Sequence, residues 1–161
     1  MSHLLDAIGD VPNAYEPFPG FVTGGQPEEA NLAALKRAGC QVLLDFRDAM
    51  EPRPYRVPDA VTAAGLEYLS LPVGHGALPD ETFDQVRELA RNLVGKRPTF
   101  CCCNSGNRVG AALLPYLMLD RGMDEEEATM LAMKIGMRNA ELMESALDYV
   151  RKDPSRLRRS G

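Results

Sequence analysis

Thr99-Phe100-Cys101-Cys102-Cys103-Asn104-Ser105-Gly106-Asn107-Arg108-Val109-Gly110 is the stretch on which the reading of this chain turns. An apolar run ends in cysteine, a short loop of small and polar residues follows, and an arginine opens a segment of helical pattern. Backbone N–H groups in such a loop and at a helix N-terminus converge on one point and bind an oxyanion. The same field, with a guanidinium beside it, lowers the pKa of a thiol placed there and keeps it as the nucleophilic thiolate. Anion binding therefore falls to Asn104, Ser105, Gly106, Asn107 and Arg108. Gly106 stands where backbone must approach the anion closely, and Arg108 is the two-pronged clamp.

The loop can be counted in two registers. From Cys103 it reads C-x4-R with Gly106 three residues on; from Cys102 it reads C-x5-R with that glycine one place late. Alternation along a strand points Cys101 and Cys103 to one face and Cys102 to the other. A serine hydroxyl stays protonated, so Cys103→Ser is expected to abolish turnover and Cys102→Ser to be much milder, and the reverse outcome would mark the C-x5-R register.

Outward from the loop, short apolar strands alternate with helical patterns. Val42-Leu43-Leu44, Tyr68 to Leu71 and Pro98 to Cys103 read as strands, with a first strand expected after residue 20. Pro27 opens a helix stopped by Gly39, and Asp59 to Ala64 reads as a short helix ended by Gly65. Asp80 reads as the N-cap of a helix whose apolar positions Phe83, Val86, Leu89, Ala90 and Leu93 fall three and four apart. The helix after the loop runs to about Asp120 and is kinked at Pro115. Asp124 and Asn139 cap the last two helices. Residues 1–20 hold Pro12, Pro17 and Pro19 with no period and are expected to wrap the surface. Residues 21–152 read as one domain, and 153–161 as a basic tail.

This order predicts an α/β fold, a small mostly parallel sheet with helices on both faces. Ligands of such sheets sit beyond the carboxyl ends of the strands. The cysteine loop lies at one such end, Arg47 at a second and His75 at a third. Arg47 is thereby a candidate substrate contact, with Arg53 and Arg56 beside it, while Asp45 reads as a structural acid at a strand end. Ester cleavage also needs an acid to protonate the leaving oxygen. The loop from Val73 to Asp80 offers two: His75 between two glycines, and Asp80, whose capping role explains it equally well.

Bulk properties narrow the partners. The 161 residues suit one domain, and 45% hydrophobic with 25% charged residues is ordinary for a globular chain. A net charge of -5 argues against a nucleic-acid partner and leaves a small phosphorylated or anionic substrate served by a local basic cluster. No apolar stretch is long enough to span a bilayer and the first residues lack a signal-peptide pattern, so the expectation is no membrane association and a cytoplasmic protein. Four cysteines, three adjacent, do not form a disulfide framework, and two histidines without a C-x-x-C pair do not form a zinc site. Cys40 reads as a buried apolar residue. Oligomeric state is not legible.

Cys103-Asn104-Ser105-Gly106-Asn107-Arg108, a C-x-x-G-x-R loop, resembles the active loop of rhodanese-type sulfurtransferases. It is equally similar to that of the bacterial beta-lactamase-hydrolase-like phosphatase domain family, whose members tend to read H-C-x-S-G-x-R. Protein tyrosine and dual-specificity phosphatases carry H-C-x-x-G-x-x-R, of which each register here satisfies half. Phe21-Val22-Thr23-Gly24-Gly25-Gln26-Pro27, the Ala/Leu helix, Gln41 to Arg47, and Gly122 to Ala128 resemble the beta-lactamase-hydrolase-like family along the chain from about Phe21 to Val150. Cys102 departs from the family histidine, and Val109 from the Ser or Thr common in related phosphatases. The resemblance implies a cysteine-dependent phosphatase acting on a phosphate monoester through a phosphocysteine on Cys103, with Arg47 near the substrate and no metal or organic cofactor. A sulfurtransferase carrying a Cys103 persulfide and an inactive phosphoanion-binding module are the alternatives.

Overall fold

The computed structural model describes residues 3–48, 51 and 55–152. Its sheet has five strands in the order β1-β2-β5-β3-β4. β2 (Phe21–Gly24), β3 (Val42–Asp45), β4 (Glu67–Ser70) and β5 (Thr99–Cys102) run parallel, and β1 (Tyr15–Phe18) pairs antiparallel with β2. β5 is central because both its faces are apolar, and all four of its residues are buried. Cys101 pairs in register with Thr23 of β2 on one side and Leu44 of β3 on the other.

Two cores follow from the alternation. Phe21, Leu44, Cys101 and Cys103 face α4 (Asp80–Leu93), α5 (Asn107–Pro115), α6 (Glu125–Ile135) and α7 (Ala140–Lys152). Val22, Leu43, Phe100 and Cys102 face α1 (His3–Ala7), α2 (Glu29–Arg37) and α3 (Val57–Ala63). The helices sit where their apolar period places them: Phe83, Val86, Ala90 and Leu93 are the buried residues of α4. The Asp124 side chain accepts the Glu127 N–H at 2.8 Å, and Asn139 Oδ1 accepts that of Leu142 at 3.1 Å, so both expected caps form.

α5 lies between sheet and outer helices and is buried from Arg108 to Pro115. It ends at Pro115, after which Tyr116–Asp120 continues as a π-helix; the missing proline N–H breaks the α ladder and the next turn widens. Asp120 at its end receives Arg87 Nε at 2.7 Å, and Arg87 Nη1 donates to Tyr149 at 3.0 Å, which joins α4 to α7.

Several elements differ from expectation. The segment before Phe21 contributes α1 and the edge strand β1; Pro17 argued against a strand, but an edge has a side that needs no partner N–H. α4 starts at Asp80 with Pro79 as its N-cap, so Asp80 sits in the first turn and its carboxylate accepts Lys152 Nζ of α7 at 3.1 Å. α3 begins at Val57, two residues early, with Pro58 in its first turn. The tail 153–161 and Arg53 lie outside the described residues.

Candidate active site

The loop leaves β5 at Cys103, whose N–H still donates to Gly24 of β2 at 3.3 Å. It turns back so that the Gly106 N–H donates to Cys103 Sγ at 3.0 Å. That turn needs Gly106 in the left-handed region, at φ +95°, immediately before α5. Neighbouring segments hold the loop's carbonyls outward. The Asn104 carbonyl accepts the Gln26 N–H at 3.0 Å, and the Ser105 carbonyl accepts Asn13 Nδ2 at 2.5 Å. A trans peptide points its N–H opposite to its C=O, so these bonds aim the amides of Ser105 and Gly106 inward. The approach is close enough that a Cβ on Gly25 would lie 2.5 Å from the Asn104 carbonyl oxygen. Asn107 Oδ1 accepts the N–H groups of Arg138 (2.7 Å) and Asn139 (3.2 Å), tying the start of α5 to the turn before α7.

Arg108 lies in the first turn of α5, 2% exposed. Its Nη1 donates to Glu51 Oε2 at 2.6 Å and to the Val73 carbonyl at 3.0 Å, and its Nη2 to Glu51 Oε1 at 2.8 Å. Burial alone would lower the Arg108 pKa, but the Glu51 carboxylate and the Cys103 sulfur beside it leave it net above the ordinary arginine value. The Arg108 bonds hold the Glu51 carboxyl down at about 2, against burial. Asn104 Nδ2 also donates to Glu51 Oε1, at 2.7 Å.

Of the two candidate acids, His75 faces this cluster, with Nε2 3.9 Å from Glu51 Oε1 and 70% of its side chain exposed. Asp80 does not: its carboxylate is engaged by Lys152 at the far end of the same loop. Arg47 does not reach solvent. It is wholly buried, with Nε and Nη2 donating to Asp45 at 2.9 and 3.1 Å, and Tyr68 donating to the same carboxylate at 2.8 Å. Its role in the structure is an internal ion pair; Arg56, paired with Asp59, is exposed.

The four cysteines are free and buried. Burial pushes the Cys40 thiol up to about 11 and the Cys101 thiol likewise upward, which keeps both protonated. Cys102 packs in the opposite core among Phe100, Leu43 and Val57, whereas Cys103 shares its side of the sheet with the loop. The structure thus brings together Cys103, Asn104, Ser105, Gly106, Asn107, Arg108 and His75. Sequence reasoning missed Glu51 and Asn13. Glu51 showed only as an acid in a proline-rich loop, and Asn13 only as one residue of an aperiodic leader.

A model of the family described as DSP-PTPase phosphatase fused to NAD+ Kinase matches residues 12–149. No curated protein matches the chain. Among solved structures it is similar to a DUF442 protein of Shewanella putrefaciens CN-32, with TM-score 0.74 and 15% identity, covering 92% of this chain and 97% of that one. Tk-PTP in its active form is similar with TM-score 0.73 and 22% identity, covering 88% and 99%. A variant of TpbA from P. aeruginosa in complex with pTyr is similar with TM-score 0.67 and 20% identity, covering 92% and 91%. These similarities bear out the α/β phosphatase-like fold and the family resemblance read from the cysteine loop. Among the described residues, no helix is long and apolar enough to cross a membrane.

Proposed function

This chain belongs to the family of DSP-PTPase phosphatases described as fused to NAD+ kinase, and from that premise we propose that it hydrolyses phosphate monoesters through a phosphocysteine on Cys103. The observation that carries the proposal is the Gly106 N–H on Cys103 Sγ, with Arg108 two residues further on in the same turn. That arrangement supplies a nucleophile, an amide cradle and a fork for phosphate oxygens at one point.

In the first step the Cys103 thiolate forms a bond to phosphorus in line with the ester oxygen, which leaves and takes a proton from His75. Loop amides and Arg108 hold the three non-bridging oxygens. In the second step water, losing its proton to the same imidazole, attacks phosphorus; phosphate leaves and the thiolate returns. Val109 offers no hydroxyl to help expel the thiolate, so that task falls to the Gly106 N–H. A small phosphorylated anion fits this cradle, and the pTyr complex of the TpbA variant supports such a substrate class. No metal or organic cofactor and no nucleic acid take part.

Purified protein assayed against an aryl phosphate, and in parallel against thiosulfate with cyanide, tests the reading. Phosphate release is expected, lost in Cys103→Ser and nearly kept in Cys102→Ser. Thiocyanate formation without phosphate release would make the chain a sulfurtransferase instead.

A further inference from the structure

Among the described residues, two large apolar side chains stand exposed, and both lie on α6: Met130 at 56% and Met133 at 49%. They are one turn apart, and beside Met133 an open groove runs between α6 and the start of α7, with Met137, Ala140 and Met143 along it. The groove is held in shape, because Arg138 Nη1 donates to the Met133 and Met137 carbonyls at 2.7 and 2.8 Å. Charge is graded along the same helix. Glu125, Glu126 and Glu127 fill its first turn, Lys134 stands in its last, and Arg138 follows just past its end. The helix dipole favours that order within one copy, but it gives no reason for two neighbouring methionines in water beside an apolar groove.

We propose that this face joins two copies of the chain, α6 packed antiparallel on α6 about a twofold axis. In such a contact one patch meets itself, so every pairing is made twice. Met130 of each copy enters the groove beside Met133 of the other. Methionine suits that task, since it is unbranched and polarizable and adapts to an irregular gap. Opposed directions set Glu126 and Glu127 of each copy toward Lys134 and Arg138 of the other, so both ends of the pair attract; a parallel pairing would set like charges together. An apolar centre with a charged rim results, the usual anatomy of an interface. A contact confined to one helix and its groove lies below the roughly 1,200 Å² of lasting complexes, so the dimer forms and parts with concentration. The rival occupant is the apolar leaving group of a substrate, because the same α6–α7 turn is tied to the anion loop through Asn107.

Sedimentation velocity of the full chain, run from micromolar to near-millimolar concentration, decides the matter. The average mass of the wild type should climb from one chain toward two. Met130→Lys and, independently, Met133→Lys bring a charge to the centre of the contact and should hold the mass at one chain throughout. Both sites are exposed and lysine suits a helix, so the melting temperature should stay where it is. Glu126→Lys combined with Glu127→Lys makes both ends repel and should weaken the dimer at least about tenfold, and added salt should weaken the wild-type dimer. A wild type that remains a single chain across the range, or a dimer that survives in both methionine variants, would overturn the proposal. So would a monomer in which Met133→Lys raises KM for an aryl phosphate, because the groove would then belong to the leaving group.

Discussion

Arg47 and Arg108 are both enclosed at the carboxyl end of the sheet and each is neutralised by one carboxylate, yet their surroundings divide their tasks. Arg108 keeps an edge toward the loop, while Arg47 is closed in with Asp45 and Tyr68 on the α2–α3 side. Removing Arg47 would leave a buried carboxylate uncompensated, which costs about 3–5 kcal/mol. Arg47→Met should therefore lower stability by about that amount in urea unfolding. An unchanged midpoint together with a raised KM would instead make Arg47 a substrate contact. The pairing itself was partly legible, because residues two apart at a strand end share a face. Glu51 was not: its partner Arg108 is 57 positions away, and a loop acid carries no periodic signature.

At the scale of elements, the legible ones were those with a period or a punctuation mark. α4 and α7 declared themselves by apolar spacing, β5 by an unbroken buried run, and α2 by Gly39 past its end, although it starts at Glu29, two residues after Pro27, with Glu28 as its N-cap. β1 did not, since a four-residue edge strand containing Pro17 looks like a loop. Equally hidden was the support that the α6–α7 turn gives the anion loop. Gly136, at φ +144°, lies so close that a Cβ there would meet the Gly106 carbonyl carbon at 2.8 Å. Gly136→Ala should cost about 1–3 kcal/mol of stability from backbone strain. It should also depress kcat/KM toward aryl phosphate by at least about tenfold, since the displaced backbone belongs to the loop that positions the anion. Lost stability with intact turnover would show that the loop does not lean on that turn.

Across the whole molecule, the anion loop is braced by Asn13, by Gly25 and Gln26, by Glu51, and by Gly136 to Asn139, stretches that span most of the chain. An anion bound there engages the native state alone and must raise its melting temperature. At a hundred times its dissociation constant, vanadate should add about 2.7 kcal/mol. Arg108→Lys should abolish the shift, because an ammonium cannot fork across two oxygens; an equal shift in both proteins would place the anion elsewhere. The order of the strands has a further result for the newly made chain. β2 and β3 are not neighbours; β5, synthesised long after both, enters between them. Until it does, each presents an open edge with unpaired amides and carbonyls, the kind of surface on which chains stick to one another. Closing those two gaps requires contacts between distant parts of the sequence, a slow step in folding. The strand that seals the sheet is also the one that ends in Cys103, so aggregation hazard and chemical competence end and begin in the same event.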